Sequence, residues 1–195
     1  MLELTKTLAF YYRERFRPFP WLILPFVLSV LFVGSLGPAF WQAALYFGLS
    51  LLFFRLFDDL GTHLYDGARG KKRSYLNRLQ QLEVAVFLPL GLLLSVTFFW
   101  LGLPGIIWMT LFILLSGALY LVGSPKRPVL FVSILKYPFL GALVMGGFDA
   151  WILVGFSLFL LHELIEEKFL PFPKATAWFA FIVVLGSRVF WSQFR

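Results

Sequence analysis

Residues 39 to 60 read AFWQAALYFGLSLLFFRLFDDL, an almost unbroken apolar run that closes on two adjacent aspartates. A membrane-spanning helix needs about 20 mostly apolar residues, and this run has that length. Its apolar residues are continuous rather than alternating, which favours a helix over a strand of a membrane barrel. The run therefore predicts a transmembrane helix with Asp58 and Asp59 at one edge of the bilayer.

The composition of the whole chain is typical of a protein whose main solvent is lipid. Of the 195 residues, 60% are hydrophobic and only 14% are charged, whereas soluble domains are about half apolar and about a quarter charged. The absence of cysteine excludes disulfides, thiolate metal sites and cysteine nucleophiles. A net charge of +7 would suggest nucleic acid in a soluble protein. Here most of the basic residues lie between apolar runs, where they mark the cytoplasmic side of a membrane, so we expect no nucleic-acid partner.

Seven apolar runs predict an all-α fold, a polytopic transmembrane helical bundle of about seven spans. We expect residues 1–195 to form a single transmembrane domain, with the helical bundle over residues 19–191. A short turn, Gly102–Leu103–Pro104–Gly105, separates the third run from the fourth. The predicted spans are Phe19–Leu36, Ala39–Leu60, Val84–Leu103, Gly105–Val122, Val129–Gly147, Ala150–Ile165 and Thr176–Trp191.

The basic residues predict how these spans cross the membrane. Lysine and arginine occur in the N-terminal segment and in the connections after the second, fourth and sixth runs, and the other three connections contain none. This asymmetry places the N-terminus in the cytoplasm and the C-terminus outside. We expect an integral, multi-pass protein surrounded by lipids of a bacterial cytoplasmic membrane. Residues 1–18 predict an interfacial amphipathic helix, because Leu4, Leu8 and Tyr12 repeat at helical spacing.

Two short acidic stretches interrupt the apolar chain, and both are predicted to face the cytoplasm. In the first, RLFDDLGTHLYD at residues 55–66, Asp59, His63 and Asp66 share one helical face if the helix continues past Leu60. The second, LHELIEEK at residues 161–168, follows the sixth run. Together the stretches hold six of the ten acidic residues and both histidines. The candidate metal ligands in them are Asp58, Asp59, Asp66, Glu163, Glu166 and Glu167.

Carboxylates in this arrangement suit magnesium. Mg²⁺ usually binds one or two carboxylates together with phosphate oxygens and water. Two acidic patches on one side could hold a diphosphate between Mg²⁺ ions, which would neutralise it as a leaving group. Ionisable residues inside a membrane favour a functional role, although carboxylates at the interface also balance nearby lysine and arginine. A zinc or iron site through His63 and His162 is an alternative, because histidine suits those metals better than magnesium.

In the order of these motifs the chain resembles the UbiA superfamily of intramembrane prenyltransferases. That family carries one aspartate-rich motif after its second span and another after its sixth, both cytoplasmic. Here RLFDDLGTHLYD and HELIEEK stand at those places. The intervening YLVGSPKRP, at residues 120–128 after the fourth run, is similar to the family's diphosphate-contacting segment.

The resemblance implies an alkyl-transferring enzyme that uses Mg²⁺. It would move a prenyl group from a prenyl diphosphate to a lipid or aromatic acceptor. Asp59 and Asp66 would act at the catalytic centre, and His63 or His162 would be the base for the acceptor. The residues that would bind the diphosphate are Tyr120, Lys126, Arg127 and Lys136.

Other functions stay open. A related but inactive protein would bind an isoprenoid or a partner subunit without turnover. A small cation or metabolite transporter would use the same acidic residues for its cargo. Prenyl length, acceptor and oligomeric state do not follow from the sequence.

Overall fold

Every regular element in the described part of the chain is a helix. The computed structural model describes residues 2–15, 18–34, 37–68, 78–123, 130–166 and 170–192. The helices are α1 (Leu2–Arg15), α2 (Pro18–Phe32), α3 (Pro38–Ala68), α4 (Leu79–Ala85), α5 (Phe87–Gly123), α6 (Leu130–Met145), α7 (Ala150–Glu166) and α8 (Lys174–Ser192). The all-α prediction is therefore confirmed for these residues. Each of the seven apolar runs coincides with a helix or, for the third and fourth runs, with part of α5.

Two stretches are long and apolar enough to cross a membrane. They are Pro38–His63, of 26 residues, and Leu79–Val122, of 44 residues. Four shorter apolar helices of 10–17 residues complete the set: Ile23–Phe32, Ile134–Met145, Ala150–His162 and Ala175–Phe190. Length and composition thus give weak support for a membrane protein.

The long α5 contains the turn that the sequence predicts. Gly102 has φ 68° and ψ −165°, outside helical values, and Pro104 follows it. In a straight helix residues 97 and 105 would be about 12 Å apart along the axis. A Cβ at Gly105 would instead lie only 3.3 Å from the Cγ2 of Thr97. The chain therefore bends back on itself at Gly102.

The helices divide into two compact units. The first comprises Met1–Ile23 and Gly48–Ser133, and the second comprises Leu24–Phe47 and Ile134–Arg195. The single transmembrane domain that the sequence predicts stays a prediction.

In the first unit, α3 packs against the second half of α5. The ring of Phe54 lies 5.6 Å from that of Phe112, and the ring of Phe57 lies 5.9 Å from that of Tyr120. Because these contacts occur in the same order along both helices, α3 and this half of α5 run in the same direction. Their C-terminal ends therefore meet, which places the first acidic stretch beside the end of α5.

The N-terminal helix α1 also belongs to this unit. It packs against α4 and α3, and a small apolar cluster of Tyr11, Leu56 and Leu82 joins the three helices. Thr7 Oγ1 donates a hydrogen bond to Gln81 Oε1 at 3.2 Å. The predicted stripe of Leu4, Leu8 and Tyr12 is only partly buried, whereas Thr7 and Tyr11 are fully buried. The face of α1 that meets protein is therefore rotated slightly from the predicted stripe.

In the second unit, glycines let α2 pack closely against α6 and α7. A Cβ at Gly141 would lie 2.6 Å from the Phe32 ring, and one at Gly155 would lie 2.7 Å from Leu31. Arg188 of α8 donates to the Leu31 carbonyl at 3.1 Å and to the Phe32 carbonyl at 3.4 Å. These are among the last carbonyls of α2, which have no partner within their own helix. Arg188, for which the sequence predicts no role, therefore caps α2.

Candidate functional site

The first candidate site lies where the ends of α3 and α5 meet. Tyr120 Oη donates a hydrogen bond of 2.6 Å to Asp58 Oδ1, and both residues are buried. The contact depends on Gly61, because a Cβ there would lie 2.6 Å from the Cγ of Tyr120. Gly61 is thus the position on α3 at which the Tyr120 ring of α5 lies close to the backbone. The structure brings together two sequence-predicted site residues that are 62 positions apart.

Asp59, the next residue, is held by α1. Arg15 donates from Nε to Asp59 Oδ2 at 2.6 Å and from Nη2 to Oδ1 at 2.8 Å, so its guanidinium spans both carboxylate oxygens. Tyr11 Oη donates to Oδ2 at 2.6 Å. Arg55 Nε lies 3.7 Å from the same oxygen, one helical turn before Asp59. Asp59 is 5% exposed, so this is a buried, charge-assisted network.

Tyr11 acts in this network as a permanent donor. It lies on α1, outside the two long apolar stretches, and is completely buried. Burial raises its pKa, and the negative charge of Asp59 raises it further. The hydroxyl therefore keeps its proton under physiological conditions and continues to donate to the carboxylate.

The predicted helical register of the first acidic stretch holds. Because α3 is helical through Ala68, the backbone positions of Asp59, His63 and Asp66 share one face. His63 Nδ1 lies 2.6 Å from the Leu60 carbonyl, which can only accept, so Nδ1 carries the proton. In the neutral ring Nε2 is then the nitrogen able to take a proton. The geometry is therefore compatible with the predicted role of His63 as a base.

Lys136 and His162 belong to the second unit. Lys136 is 5% exposed, and its Nζ lies 5.4 Å from the ring centroid of Tyr137. The Tyr137 ring stacks on Phe159 with centroids 3.8 Å apart and an interplanar angle of 7°. The His162 ring lies 5.8 Å from the ring of Trp178 on α8. Both residues therefore flank aromatic contacts that join α6, α7 and α8, and their predicted roles stay predictions.

Several predicted site residues fall outside the description. Lys126, Arg127 and Glu167 lie outside the described residues. The backbones of Asp66, Glu163 and Glu166 lie within α3 and α7, but their side chains belong to the part that is not described. The predicted second acidic patch therefore stays a prediction.

The described carboxylates are the ligand type that magnesium prefers, but their contacts are with tyrosine and arginine side chains. Among the described residues, no group of three or more histidine and acidic side chains could hold a metal ion. Mg²⁺ needs only one or two carboxylates when phosphate oxygens and water complete its shell, but Asp58 contacts α5 through Tyr120 and Asp59 contacts α1 through Arg15. Asp59 already accepts three short hydrogen bonds, two of them from Arg15. Coordination by Asp59 would require Arg15 to move.

Three residues that form this site were not predicted from the sequence: Tyr11, Arg15 and Arg55. Arg15 and Tyr11 read as parts of an interfacial helix, and Arg55 reads as a charge at the end of a span. Tyr11 and Arg15 lie 48 and 44 positions from Asp59, beyond any local spacing rule. The sequence contains one indication of such partners. Burying two aspartates in an apolar chain costs free energy unless cationic or hydrogen-bonding groups contact them.

Comparison with models of protein families, with curated proteins and with solved structures finds no match to this chain. The resemblance to the UbiA superfamily therefore rests on the order and composition of its motifs.

Proposed function

We propose that this chain is a multi-pass membrane protein of the prenyltransferase type, with seven spans, a cytoplasmic N-terminus and an external C-terminus. It would transfer a prenyl group from a prenyl diphosphate to a lipid or aromatic acceptor. The observation that carries the proposal is the 2.6 Å contact between Tyr120 and Asp58. It joins the end of the second apolar run to the end of the fourth, where the acidic stretch and the segment that would share one diphosphate begin.

The proposed reaction is a substitution at the first carbon of the prenyl chain. The bond from this carbon to the diphosphate oxygen breaks, and its electron pair leaves with the diphosphate. A nucleophilic atom of the acceptor forms the new bond to the carbon and then loses a proton. Bound Mg²⁺, held by Asp58 and the acidic residues near it, would neutralise charge on the departing diphosphate.

The chain's own residues would orient and neutralise the substrate. Tyr120 fixes the carboxylate of Asp58, and a group held in one orientation loses little entropy when the substrate binds. Arg15 and Arg55 supply positive charge next to the carboxylate of Asp59. Nε2 of His63 would accept the proton that the acceptor loses.

The test is release of diphosphate from prenyl donors of several lengths by the full chain in liposomes, measured across Mg²⁺ concentrations. We expect Asp58→Asn to lower the rate on the order of a hundredfold, because a charge near the leaving group is lost. The matched control is Asp149→Asn, which removes the same charge elsewhere. Asp149 Oδ1 accepts a hydrogen bond from the Trp151 backbone at the start of α7, and asparagine caps helices as well as aspartate does.

Equal rates in wild type, Asp58→Asn and Asp149→Asn would refute the site. Absence of diphosphate release from every donor would refute the transferase.

A second candidate is a protein that binds an isoprenoid diphosphate without turnover. The contacts of Asp59 favour it, because a carboxylate already spanned by Arg15 is poorly placed to accept a metal. This candidate predicts that a prenyl diphosphate raises the melting temperature of the protein while no diphosphate is released.

A further inference from the structure

The second unit contains an apolar groove between α2 and α8. Its volume is about 650 Å³, and clefts that bind small molecules have volumes of about 300–1,000 Å³. The groove extends over about 6–8 Å along the two helices. Three lining residues belong to α2 and four to α8, and all seven are apolar. They are Phe26, Val27, Val30, Leu185, Gly186, Val189 and Phe190.

Gly186 leaves part of this groove open. A Cβ at this position would meet no atom within 4 Å, although alanine is the better helix former. Phe26 and Phe190 are 42% and 65% exposed, so the groove opens at the surface of the protein. The side chains of α2 and α8 therefore leave a space that an added side chain at position 186 would occupy.

Arg188 holds α2 and α8 together beside the groove. It donates to the carbonyls of Leu31 and Phe32, which lie one and two residues past the lining residue Val30. Helices packed side by side have axes about 8–10 Å apart, and a helix with its side chains is about 10–12 Å across. A third helix can therefore cover the groove but cannot fill it. A single hydrocarbon chain can fill it, because carbon atoms pack at about 3.5–4 Å.

The lining also excludes polar occupants. A water molecule in a cavity needs polar partners, and apolar cavities stay dry. A charged or polar ligand would lose its hydrogen bonds to water and gain none from these seven side chains. Both helices belong to apolar stretches, Ile23–Phe32 and Ala175–Phe190. In the proposed bilayer the groove would therefore open among acyl chains.

We propose that the groove between α2 and α8 binds one acyl chain of a membrane phospholipid. The chain fills the space that Gly186 leaves and buries apolar surface of both helices. This inference rests on the membrane location in the proposed function and is independent of the proposed reaction. It assigns a lipid-binding site to the second unit.

The test maps the contacts of a phosphatidylcholine that carries a photoreactive diazirine on one acyl chain. The full chain in detergent micelles receives an equimolar amount of this lipid, and the labelled peptides are identified by mass spectrometry after irradiation. We expect label on the peptides that contain residues 26–30 and 185–190. Gly186→Leu should lower this labelling about tenfold, because the added side chain displaces about two buried methylenes of the lipid.

The matched control is Gly91→Leu. Gly91 is a helical glycine of α5 whose Cβ would also meet no atom within 4 Å, and it does not line the groove. Its replacement adds the same apolar side chain elsewhere, so the labelling of the groove peptides should equal that of wild type. Gly186→Ala adds only one methyl group and should lower the labelling about threefold.

Equal labelling of the groove peptides in Gly186→Leu and Gly91→Leu would overturn the proposal. Displacement of the label by a prenyl diphosphate, but not by unlabelled phosphatidylcholine, would overturn it by assigning the groove to the donor. Unlabelled groove peptides in a chain that sediments as a dimer would overturn it by assigning the groove to a second copy.

Far-ultraviolet circular dichroism checks that Gly186→Leu retains its helices. If it does not, the comparison of Gly186→Ala with Gly91→Ala decides in the same way. Labelling of the groove without diphosphate release would support the lipid site and refute the transferase. Diphosphate release without labelling of the groove would do the reverse.

Discussion

Replacing Gly61 by alanine tests whether the contact between Tyr120 and Asp58 depends on a missing side chain. The added Cβ would lie 2.6, 2.7 and 3.0 Å from three atoms of the Tyr120 ring, whereas ordinary contacts are about 3.5–4 Å. The ring must therefore retreat by about 1 Å, and its 2.6 Å hydrogen bond to Asp58 would be lost.

The magnitude follows from three effects. Overpacking a buried position costs about 1–3 kcal/mol. Losing a hydrogen bond to a charged group costs about 1.5–3 kcal/mol. Alanine recovers about 1 kcal/mol of helix propensity. We expect a net loss of about 1.5–5 kcal/mol, which for a chain of this size lowers the melting temperature by roughly 3–20 °C.

The assay is thermal unfolding in detergent, followed by far-ultraviolet circular dichroism. Gly91→Ala is the matched control, because Gly91 is also helical and a Cβ there would meet nothing within 4 Å. It should leave the melting temperature unchanged or raise it slightly. In a Tyr120→Phe background, Gly61→Ala should cost less, since the hydrogen bond is already absent. An unchanged melting temperature for Gly61→Ala would refute this account of the α3–α5 contact.

Three further predictions address the network and the topology. Asp59→Asn should lower the free energy of unfolding by at most about 3–5 kcal/mol, because it leaves the partly buried Arg15 without its counter-charge. Asp59→Asn combined with Arg15→Gln should recover part of that loss in the same melting assay, and no recovery would count against the pair. Tyr11→Phe should cost about 1.5–3 kcal/mol by removing one charge-assisted hydrogen bond. The matched control Tyr12→Phe removes a neutral hydrogen bond of 3.1 Å to the Leu52 carbonyl and should cost only about 0.5–1.5 kcal/mol. A reporter fused to the C-terminus should be active only outside the cytoplasm, as the distribution of basic residues requires, and cytoplasmic activity would rule out the proposed orientation.

The positions of the helices could be predicted because continuous apolar runs carry a strong signal. The turn at Gly102 was equally visible, since glycine and proline interrupt two such runs within three residues. The helix α4 (Leu79–Ala85) was not predicted, because five of its seven residues precede the third apolar run and three of them are glutamine or glutamate. Val86, between α4 and α5, keeps helical backbone angles of φ −60° and ψ −26°.

The residues of the candidate site were also predicted only in part. The resemblance implies that Asp58 and Tyr120 serve the same diphosphate, but it does not predict that the two side chains touch. The bond between Arg15 and Asp59 was not expected. Helical periodicity identifies the face of α1 that is apolar, but it does not say which helix that face meets. Tertiary packing decides which residues pair across 44 positions. The local spacing of residues in the sequence contains no information about such pairs.

The buried guanidinium of Arg188 also bears on how the chain is made. An arginine at the centre of a membrane-spanning helix costs about 2.5–3.5 kcal/mol, and Arg188, in the C-terminal half of α8, would cost less than that. Arg188 would offset that cost by donating to α2 carbonyls that lie 156 and 157 residues earlier. On the ribosome those carbonyls emerge long before α8, so the acceptors are in place when the arginine arrives. Insertion of α8 would then depend on α2 being already in place, so the two helices would assemble in the order in which they are synthesised.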